Sequence, residues 1–418
     1  MLYERWQQIA QRHRDEIALH DLARGERWSF GELSAAVEQG NVDTAPVVFP
    51  QGISSDFIFS VLKAWRNKQV VCPLEVAQPA PHLKSLPPDC IHLKMTSATT
   101  GDARVIAFKP EQLVADAENI VATMGLRCEW PNMAVISLAH SYGFSNMVLP
   151  LLLHGIPLIL VESPLPENVR SAAKNFDAIT LAAVPALWRV WNDASAIPAN
   201  VRLAISAGAP LPLQLEAEIF AKTGIKVHNF YGSSECGGIA YDRSDTPRTD
   251  PGCVGGAMAN VDLCVGEAGC LEVRSRAVGQ TYWPQPDDKL ANGIFRTSDV
   301  VELSDGMVFL RGRVTDQINV AGRKVSPDAI ERILLQHPSV SECLVFGVPS
   351  KDAERTEEVV ACIVAKAGGG ADGLKQFLQT KIPAWQMPRD WWLVDSLEVN
   401  QRGKVSRAAW REKYLSSR

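Results

Sequence analysis

A glycine turn rich in hydroxyl side chains follows the short apolar stretch IHLKM. The segment is TSATTGDARVIAF, residues 96–108, and it opens with Thr96, Ser97, Ala98, Thr99, Thr100 and Gly101. Such a turn offers backbone N–H groups and hydroxyl donors at close range, which suits a polyphosphate. The GxxxxGK[ST] spacing of a Walker loop is absent. Taken alone, the pattern is also typical of a solvated loop, so its meaning depends on the rest of the chain.

A second cluster lies in NFYGSSECGG, residues 229–238. An aromatic residue, a glycine, a hydroxyl and an acid follow in order: Tyr231, Gly232, Ser234 and Glu235. These residues are able to stack a base, admit a ligand and ligate Mg²⁺, because magnesium favours carboxylate and phosphate oxygens and one glutamate can suffice. A strand that ends in a glycine turn explains the same residues equally well.

Three further segments carry polar residues near turns. Asp299 lies in FRTSDVVELSDG (295–306), a long motif RGRVTDQINVAGRKVSPDAIE spans 311–331, and Lys404 follows a glycine in NQRGKVSRAAW (400–410). Each segment by itself is typical of a turn or a surface loop.

Composition narrows the class of protein. The chain has 418 residues, 46% hydrophobic and 21% charged, with a net charge of −5. That length allows two cores, and the charge gives no case for a nucleic-acid partner, which needs a basic footprint. The nine cysteines show no zinc spacing and are expected to be reduced thiols.

The N-terminus lacks the apolar core of a signal peptide. The most apolar stretch, residues 147–161, is interrupted by prolines and a glycine and is too short to span a bilayer, so a buried strand or helix followed by a turn and a strand is expected. We therefore expect a cytoplasmic protein with no membrane partner.

The order of apolar segments predicts an α/β fold with two domains. Up to about residue 240, short apolar runs alternate with helical segments such as 54–67, 110–125 and 212–224, which indicates mostly parallel sheets covered by helices. From about Gly252, short alternating segments predict a small antiparallel β-subdomain. A small, compact α+β unit is expected at the C-terminus, with a helix capped at Ser326. The predicted domains are 1–312 and 313–418.

In this order, the five segments resemble the acyl-adenylate-forming (AMP-binding) superfamily: acyl- and aryl-CoA synthetases, peptide-synthetase adenylation domains and luciferases. The matching motifs cover Thr96 to Arg104, Tyr231 to Glu235, Thr297 to Asp299, Gly312 to Gly322 and Gly403-Lys404. The resemblance extends over the whole chain, and within the superfamily the sequence is most similar in character to aryl-acid and coumarate-type ligases. It implies ATP-dependent activation of a small carboxylic acid as an acyl-AMP, which then passes to a thiol.

The resemblance also implies roles for particular residues. The β- and γ-phosphates of ATP would be held by the 96–101 turn and Arg104, and Arg313 would contact ribose or phosphate. Asp299 would accept hydrogen bonds from both ribose hydroxyls, Glu235 would hold Mg²⁺, and Ser234 would lie near the α-phosphate. The adenine slot would be formed by Ala207, Gly208, Ala209, Asn229, Phe230 and Tyr231, and Gly232 would be a further nucleotide-binding residue.

Lys404 is implied as the catalytic cation. Carboxylate and ATP are both anionic, and their negative charges come closest together in the transition state. An ammonium that bridges them therefore stabilises the transition state more than the bound substrates. The family rotates its small domain between half-reactions, which implies a hinge at Thr315. The thiol of CoA, or of phosphopantetheine, would enter around Ala321, Gly322 and Lys324.

For the acyl pocket, the resemblance implies His140 and Tyr142 together with the small residues Ala207, Gly208, Gly237 and Gly238. His140 would act as the gating residue, although a buried structural histidine is the plain alternative. Amino-acid-activating relatives have an acid just after this position, and none is present here. We expect an aryl or related unsaturated acid.

The chain departs from the family pattern at Ala98, Arg104, Ser298 and Thr315, and only 95 residues precede the phosphate turn. Two alternatives to a CoA ligase remain open. One is a ligase that loads the phosphopantetheine arm of an acyl carrier protein. The other is a non-catalytic nucleotide-binding relative, which retention of the candidate site residues disfavours.

Overall fold

The computed structural model describes residues 1–40, 44–95, 104–161, 163–350, 356–366, 371–398 and 405–417. The chain forms two compact units. Unit 1 comprises Met1–Cys264, Glu272–Thr297 and Asp305–Val308, and unit 2 comprises Val265–Leu271, Ser298–Ser304 and Phe309–Arg418.

The helices lie where apolar residues recur at helical spacing. They are α1 Leu2–Arg12, α2 Phe30–Gln39, α3 Ser55–Arg66, α4 Pro110–Met124, α5 Ser141–Gly143, α6 Leu149–His154, α7 Pro166–Ala173, α8 Pro185–Asp193, α9 Leu213–Thr223, α10 Pro327–Leu334, α11 Ala371–Gln379 and α12 Arg407–Ser416. A π-helical turn, Phe144–Val148, joins α5 to α6. The apolar stretch 147–161 is thus a helix, a turn and a strand.

The strands follow the apolar runs of the sequence. They are β1 Ile17–Asp21, β2 Glu26–Ser29, β3 Val47–Val48, β4 Val70–Val71, β5 His92–Met95, β6 Val105–Phe108, β7 Asn132–Ala134, β8 Leu158–Leu160, β9 Ile179–Ala183, β10 Val201–Ser206, β11 Val227–Ser233, β12 Gly237–Tyr241, β13 Cys253–Ala257, β14 Asp262–Val265, β15 Cys270–Arg274, β16 Thr281–Trp283, β17 Leu290–Ala291, β18 Ile294–Ser304, β19 Met307–Arg313, β20 Ile318–Val320, β21 Arg323–Val325, β22 Val340–Pro349, β23 Glu357–Ala365 and β24 Asp390–Val394.

The main sheet of unit 1 has the order β2-β1-β8-β7-β9-β10-β11-β12-β13. The strands from β1 to β11 along this order pair in parallel, whereas β2, β12 and β13 pair antiparallel. Trp188 and Trp191 of α8 are fully buried in the core beside this sheet. The expected mostly parallel, helix-covered sheet is confirmed.

A second sheet in unit 1 has the order β16-β6-β5-β4-β3. Its central strands β5 and β6 pair antiparallel, and together they flank the predicted phosphate turn. Strand β16 comes from far along the chain and pairs antiparallel with β6, Tyr282 opposite Ile106. This pairing brings residues near position 282 to the end of the phosphate-turn strands.

A buried ionic network fixes the base of the hairpin formed by β11 and β12, where β11 begins and β12 ends. Glu216 of α9 is fully buried and accepts hydrogen bonds from Lys226 and from Nε of Arg248, the latter at 2.9 Å. Lys226, just before β11, also donates to Asp242, just after β12, at 2.6 Å. Because charges inside a protein are tolerated only when paired, this network ties the hairpin to α9.

Unit 2 is built on the sheet β22-β23-β24, with helices on both faces. Alternate residues of β23 point to opposite faces: Val359 and Ala361 pack with α10 and α11, whereas Val360 and Cys362 pack with Trp410 of α12. Helix α10 starts at Pro327, and the Ser326 hydroxyl accepts the N–H of Ala329 as its N-cap. The expected α/β class with a smaller α+β C-terminal unit is confirmed.

Within the described ranges, none of the helices is long and apolar enough to cross a membrane.

Candidate active site

Glu235 lies in the turn between the antiparallel strands β11 and β12. Gly232 pairs with Gly238 and Ser233 pairs with Gly237, so the acid sits at the tip of a tight hairpin. The hydroxyl of Ser233 accepts the N–H of Glu235 at 3.2 Å, which fixes the backbone of the turn. Ser234, Glu235 and Cys236 form this turn, and the glycines of the segment lie in the two flanking strands.

Asp116 of α4 supports that turn from the core. Its Oδ1 accepts the N–H of Gly238 at 3.3 Å, and its Oδ2 accepts the hydroxyl of Ser145 at 2.6 Å. Lys94 of β5 donates to Ser145 at 3.3 Å and lies 3.8 Å from Asp116 Oδ2. Burial lowers the pKa of the Lys94 ammonium, and the Asp116 carboxylate opposes that effect. The acid and the ammonium therefore compensate each other in the core.

Tyr282 connects Glu235 with Arg104. The phenol donates a hydrogen bond to Glu235 Oε1 at 3.0 Å, and the guanidinium of Arg104 stacks on the Tyr282 ring, 3.7 Å from its centroid. Arg104 also pairs with Asp287 at 3.2 Å. Glu235, the predicted metal ligand, and Arg104, the predicted phosphate-binding cation, thus both contact the side chain of Tyr282.

The predicted adenine-slot residues meet at the carboxyl ends of β10 and β11. Ser206, the last residue of β10, pairs in parallel with Asn229, so Ala207–Ala209 follow the end of β10 beside Phe230 and Tyr231 of β11. Gly208 and Ala209 are exposed there, and Gly208 has a φ of +85°. Ligands commonly bind at this edge of open parallel sheets. The structure brings this predicted group together.

The aromatic residues of the predicted acyl pocket lie beside that edge. Tyr142 and Phe230 have ring centroids 5.9 Å apart, and both side chains are buried. Gly238 lies against the Phe230 ring. His140 caps α5, because its Nδ1 accepts the N–H of Tyr142 at 3.3 Å. A neutral His140 therefore carries its proton on Nε2.

In unit 2, Asp299 and Arg313 lie on β18 and β19. Arg313 Nε donates to Asp299 Oδ1 at 2.6 Å, and the Arg313 side chain is 56% exposed. The hydroxyl of Thr315, in a short helical turn after β19, donates to Asp316 at 3.3 Å. The two residues predicted to contact ribose or phosphate are thus paired with each other.

The predicted thiol-channel residues form a hairpin tip in unit 2. Ala321 and Gly322 connect β20 to β21 with φ values of +51° and +80°, as a two-residue primed turn requires. Lys324 is exposed on β21, opposite Asn319. Glycine is suited to the second position because it has no Cβ to oppose a positive φ.

The predicted phosphate turn, Thr96–Gly101, and Lys404 lie outside the described residues. Sequence reasoning missed Lys94, Asp116 and Tyr282. Lys94 appeared only as part of an apolar stretch, and Tyr282 joins the site through a strand pairing between distant parts of the chain.

A magnesium ion fits the Glu235 turn. Among the described residues there is no cluster of three histidine, cysteine or acidic side chains for a metal, but Mg²⁺ does not need one, since one or two carboxylates and substrate phosphates suffice. No described residue donates a hydrogen bond to Glu235 Oε2, whereas Oε1 is bonded to Tyr282. Glu235 therefore has one oxygen oriented and the other available to a cation.

Comparison with known proteins places the chain in a family. The sequence profile described as "AMP-binding enzyme" matches residues 54–283, and the profile "AMP-binding enzyme C-terminal domain" matches residues 329–404. Since the first match covers more than half of the chain, the chain belongs to the AMP-binding enzyme family. The resemblance seen in the sequence motifs is confirmed.

Three similar proteins are each named as a ligase. The chain is 25% identical to the long-chain-fatty-acid–CoA ligase FadD13 of Mycobacterium tuberculosis, over 79% of this chain and 68% of that protein. It is 27% identical to the 2,3-dihydroxybenzoate-AMP ligase of Bacillus subtilis, over 79% and 65%. It is 27% identical to the 4-hydroxybenzoate–CoA/benzoate–CoA ligase of Rhodopseudomonas palustris, over 78% and 65%. The matched part thus covers about two thirds of these relatives.

Solved structures share the fold. ATP-bound MatB from Rhodopseudomonas palustris superposes with a TM-score of 0.84 at 21% identity, covering 99% of both chains. The anthranilate CoA ligase AuaEII in complex with anthranoyl-AMP gives a TM-score of 0.84 at 18% identity, covering 100% of this chain and 98% of that one.

The close approach of Gly237 to Asp116 gives a stability prediction. A Cβ at Gly237 would lie 2.0 Å from Asp116 Oδ1, and its φ is +68°. We expect Gly237→Ala to lower the free energy of unfolding by about 2–5 kcal/mol, the sum of left-handed strain and forced displacement of the carboxylate. Urea unfolding measures this loss.

Gly25 is the matched control, because its φ is also +68° but nothing lies within 4 Å of its Cβ position. Gly25→Ala should cost only about 1–2 kcal/mol, the strain alone. Equal losses in the two variants would contradict the support that Asp116 gives to the turn.

Proposed function

We propose that this protein activates a carboxylic acid with ATP, forming an acyl-AMP and pyrophosphate, and then transfers the acyl group to a thiol. The protein would then be an acid–thiol ligase of the AMP-forming type. The observation that carries the proposal is the Glu235 turn, which holds an acid beside Arg104 at the end of the phosphate-turn strands. Family membership and the ligase relatives support the same reaction.

In the first half-reaction, a carboxylate oxygen forms a bond to the α-phosphorus and pyrophosphate leaves. The chemistry requires little covalent help, so positioning and charge stabilisation supply the catalysis. Arg104 would contact the departing phosphates, and Asp299 would accept hydrogen bonds from the ribose hydroxyls. Lys404 would bridge the two anions as they meet.

Mg²⁺ bound at Glu235 would neutralise phosphate charge. Ser234 lies in the same turn, just before Glu235, and would lie near the α-phosphate. The adenine would occupy the exposed edge beyond Gly208 and Tyr231. These assignments rest on the matching motifs and on the placement of the residues at one sheet edge.

In the second half-reaction, a thiolate attacks the acyl carbon and AMP leaves. We propose that residues 313–418 act as a mobile domain with a hinge at Thr315. The thiol arm would pass the turn of Ala321 and Gly322, near Lys324. The exposed, side-chain-poor tip of that hairpin supports this assignment.

We propose an aryl or related unsaturated acid as the substrate. The buried aromatic pair Tyr142 and Phe230, beside the small residue Gly238, suits a flat ring. The segment after His140 has no acid to pair with an ammonium, which disfavours amino acids. Two of the relatives are named for hydroxybenzoates.

ATP–pyrophosphate exchange tests the proposal directly. With Mg²⁺, we expect exchange that depends on an aryl acid such as 4-hydroxybenzoate or 2,3-dihydroxybenzoate, and much less exchange with phenylalanine, because its ammonium lacks a partner in the pocket. Label incorporation into ATP is the measurement. If ATP binds but no acid in a broad panel supports exchange, the protein is a nucleotide-binding relative without this activity.

Lys404→Ala separates the two half-reactions. We expect exchange to fall by about 100-fold or more, the scale of losing a charge-stabilising group, while thioester formation from synthetic acyl-AMP changes little. Lys366→Ala, at an exposed lysine in the same part of the chain, is the control and should retain both activities. Equal loss of both half-reactions in Lys404→Ala would contradict the assigned role.

CoA is the proposed acceptor, and the phosphopantetheine arm of an acyl carrier protein is the alternative. Supplying free CoA with the acid and ATP should release AMP and give the acyl-CoA, detected by mass spectrometry. A product formed only on an added phosphopantetheinylated carrier protein would exclude the CoA proposal while leaving the adenylation proposal in place.

A further inference from the structure

Tyr282 uses two parts of its side chain on two different site residues. Its hydroxyl donates to Glu235 Oε1 at 3.0 Å, and its ring face holds the guanidinium of Arg104 at 3.7 Å. The side chain is only 8% exposed, so its position is determined by packing. A phenol is suited to this double contact because it combines an O–H donor with a negative ring face.

The backbone next to Tyr282 holds the same turn. The N–H of Gly279 donates to the backbone carbonyl of Glu235 at 2.8 Å, and the N–H of Gln280 donates to the carbonyl of Ala107 at 2.8 Å. A Cβ at Gly279 would lie 2.7 Å from Ile106 and 3.2 Å from the Glu235 carbonyl, so the strands approach closely here. The segment from Gly279 to Tyr282 therefore fixes Glu235 through both its backbone and its side chain.

We propose that Tyr282 is a positioning residue that sets Glu235 for Mg²⁺ and Arg104 for the phosphates of ATP. The inference deepens the proposed function and rests on it. The hydroxyl orients one carboxylate oxygen and leaves Oε2 to the metal, while the ring supports the guanidinium at a defined distance from that carboxylate. Tyr282 itself would not touch the reacting atoms.

The charges around Tyr282 agree with this role. The Tyr282 hydroxyl is the donor in its contact with Glu235, because a carboxylate only accepts hydrogen bonds. Asp287 also pairs with Arg104, at 3.2 Å, so the guanidinium is held by an acid as well as by the ring face. A neutral link lets the acid and the cation lie near each other without forming a direct salt bridge that would occupy the metal-ligand oxygen.

Two substitutions separate the two contacts. Tyr282→Phe removes only the hydroxyl, and Tyr282→Leu removes the ring as well. In calorimetric titrations with ATP, we expect Tyr282→Phe to raise the Mg²⁺ concentration needed for half-maximal tightening of ATP binding about tenfold, the usual scale for losing a group that orients a metal ligand. ATP affinity without Mg²⁺ should change less than about twofold, because Arg104 keeps its ring.

Tyr282→Leu should show the same Mg²⁺ effect and should also weaken ATP binding without Mg²⁺, by about fivefold, because the guanidinium loses its support. Tyr3→Phe is the matched control: its phenol also donates to a glutamate, Glu38, at 2.6 Å, neither residue is assigned to the site, and neither titration should change. If Tyr282→Leu fails to fold, Tyr282→Phe alone decides the question.

The wild-type protein distinguishes this inference from the proposed function. If wild-type protein neither binds ATP with Mg²⁺ nor catalyses exchange with any acid, the proposed function fails. If wild-type protein does both and Tyr282→Phe has an unchanged or lower Mg²⁺ requirement, the positioning role is wrong. Equal weakening of ATP binding with and without Mg²⁺ in Tyr282→Phe would also overturn it, since that result indicates general damage to the site.

Discussion

The position of the Glu235 carboxylate is the constraint on which the candidate site depends. A hairpin tip in water would let this acid sample many rotamers, but here its turn is held on two sides. Asp116 binds the turn from the core through the N–H of Gly238, and Tyr282 binds the carboxylate itself. Because the turn is fixed in advance, little ordering remains to be done when a ligand arrives.

The need to balance charge explains the surroundings of this turn. A reaction between a carboxylate and ATP concentrates negative charge, so the protein must supply cations near the phosphates. Lys94 is paired with Asp116 inside the core, whereas Arg104 lies on the face of Tyr282, pairs with Asp287 and is 37% exposed. One cation therefore stabilises the fold, and the other remains near the position proposed for the phosphates.

The elements around the site were predictable where a local pattern determines them. Helix α4 begins with Pro110 and α10 is capped by Ser326, because each of these helix starts depends on neighbours in the chain. The parallel order of β10 and β11, and hence the shared edge, also followed from alternating strands and helices.

The residues that support the site were not predictable in this way. Asp116 lies within an ordinary helical pattern, and Lys94 lies within an apolar strand, so neither has a local sign of its partner. Tyr282 belongs to a strand whose pairing with β6 joins distant parts of the chain. Long-range pairing of this kind depends on tertiary packing, and it cannot be predicted from the periodicity and spacing of residues within one segment.

Oxygen transfer from acid to nucleotide tests the central claim most directly. The protein is supplied with ATP, Mg²⁺, CoA and an acid that supports exchange, with ¹⁸O in both oxygens of its carboxylate, and the nucleotide products are examined by mass spectrometry. Attack of the carboxylate on the α-phosphorus, followed by cleavage of the acyl C–O bond, predicts AMP that carries one ¹⁸O atom. Unlabelled AMP, or ADP as the main product, would contradict adenylation at this site.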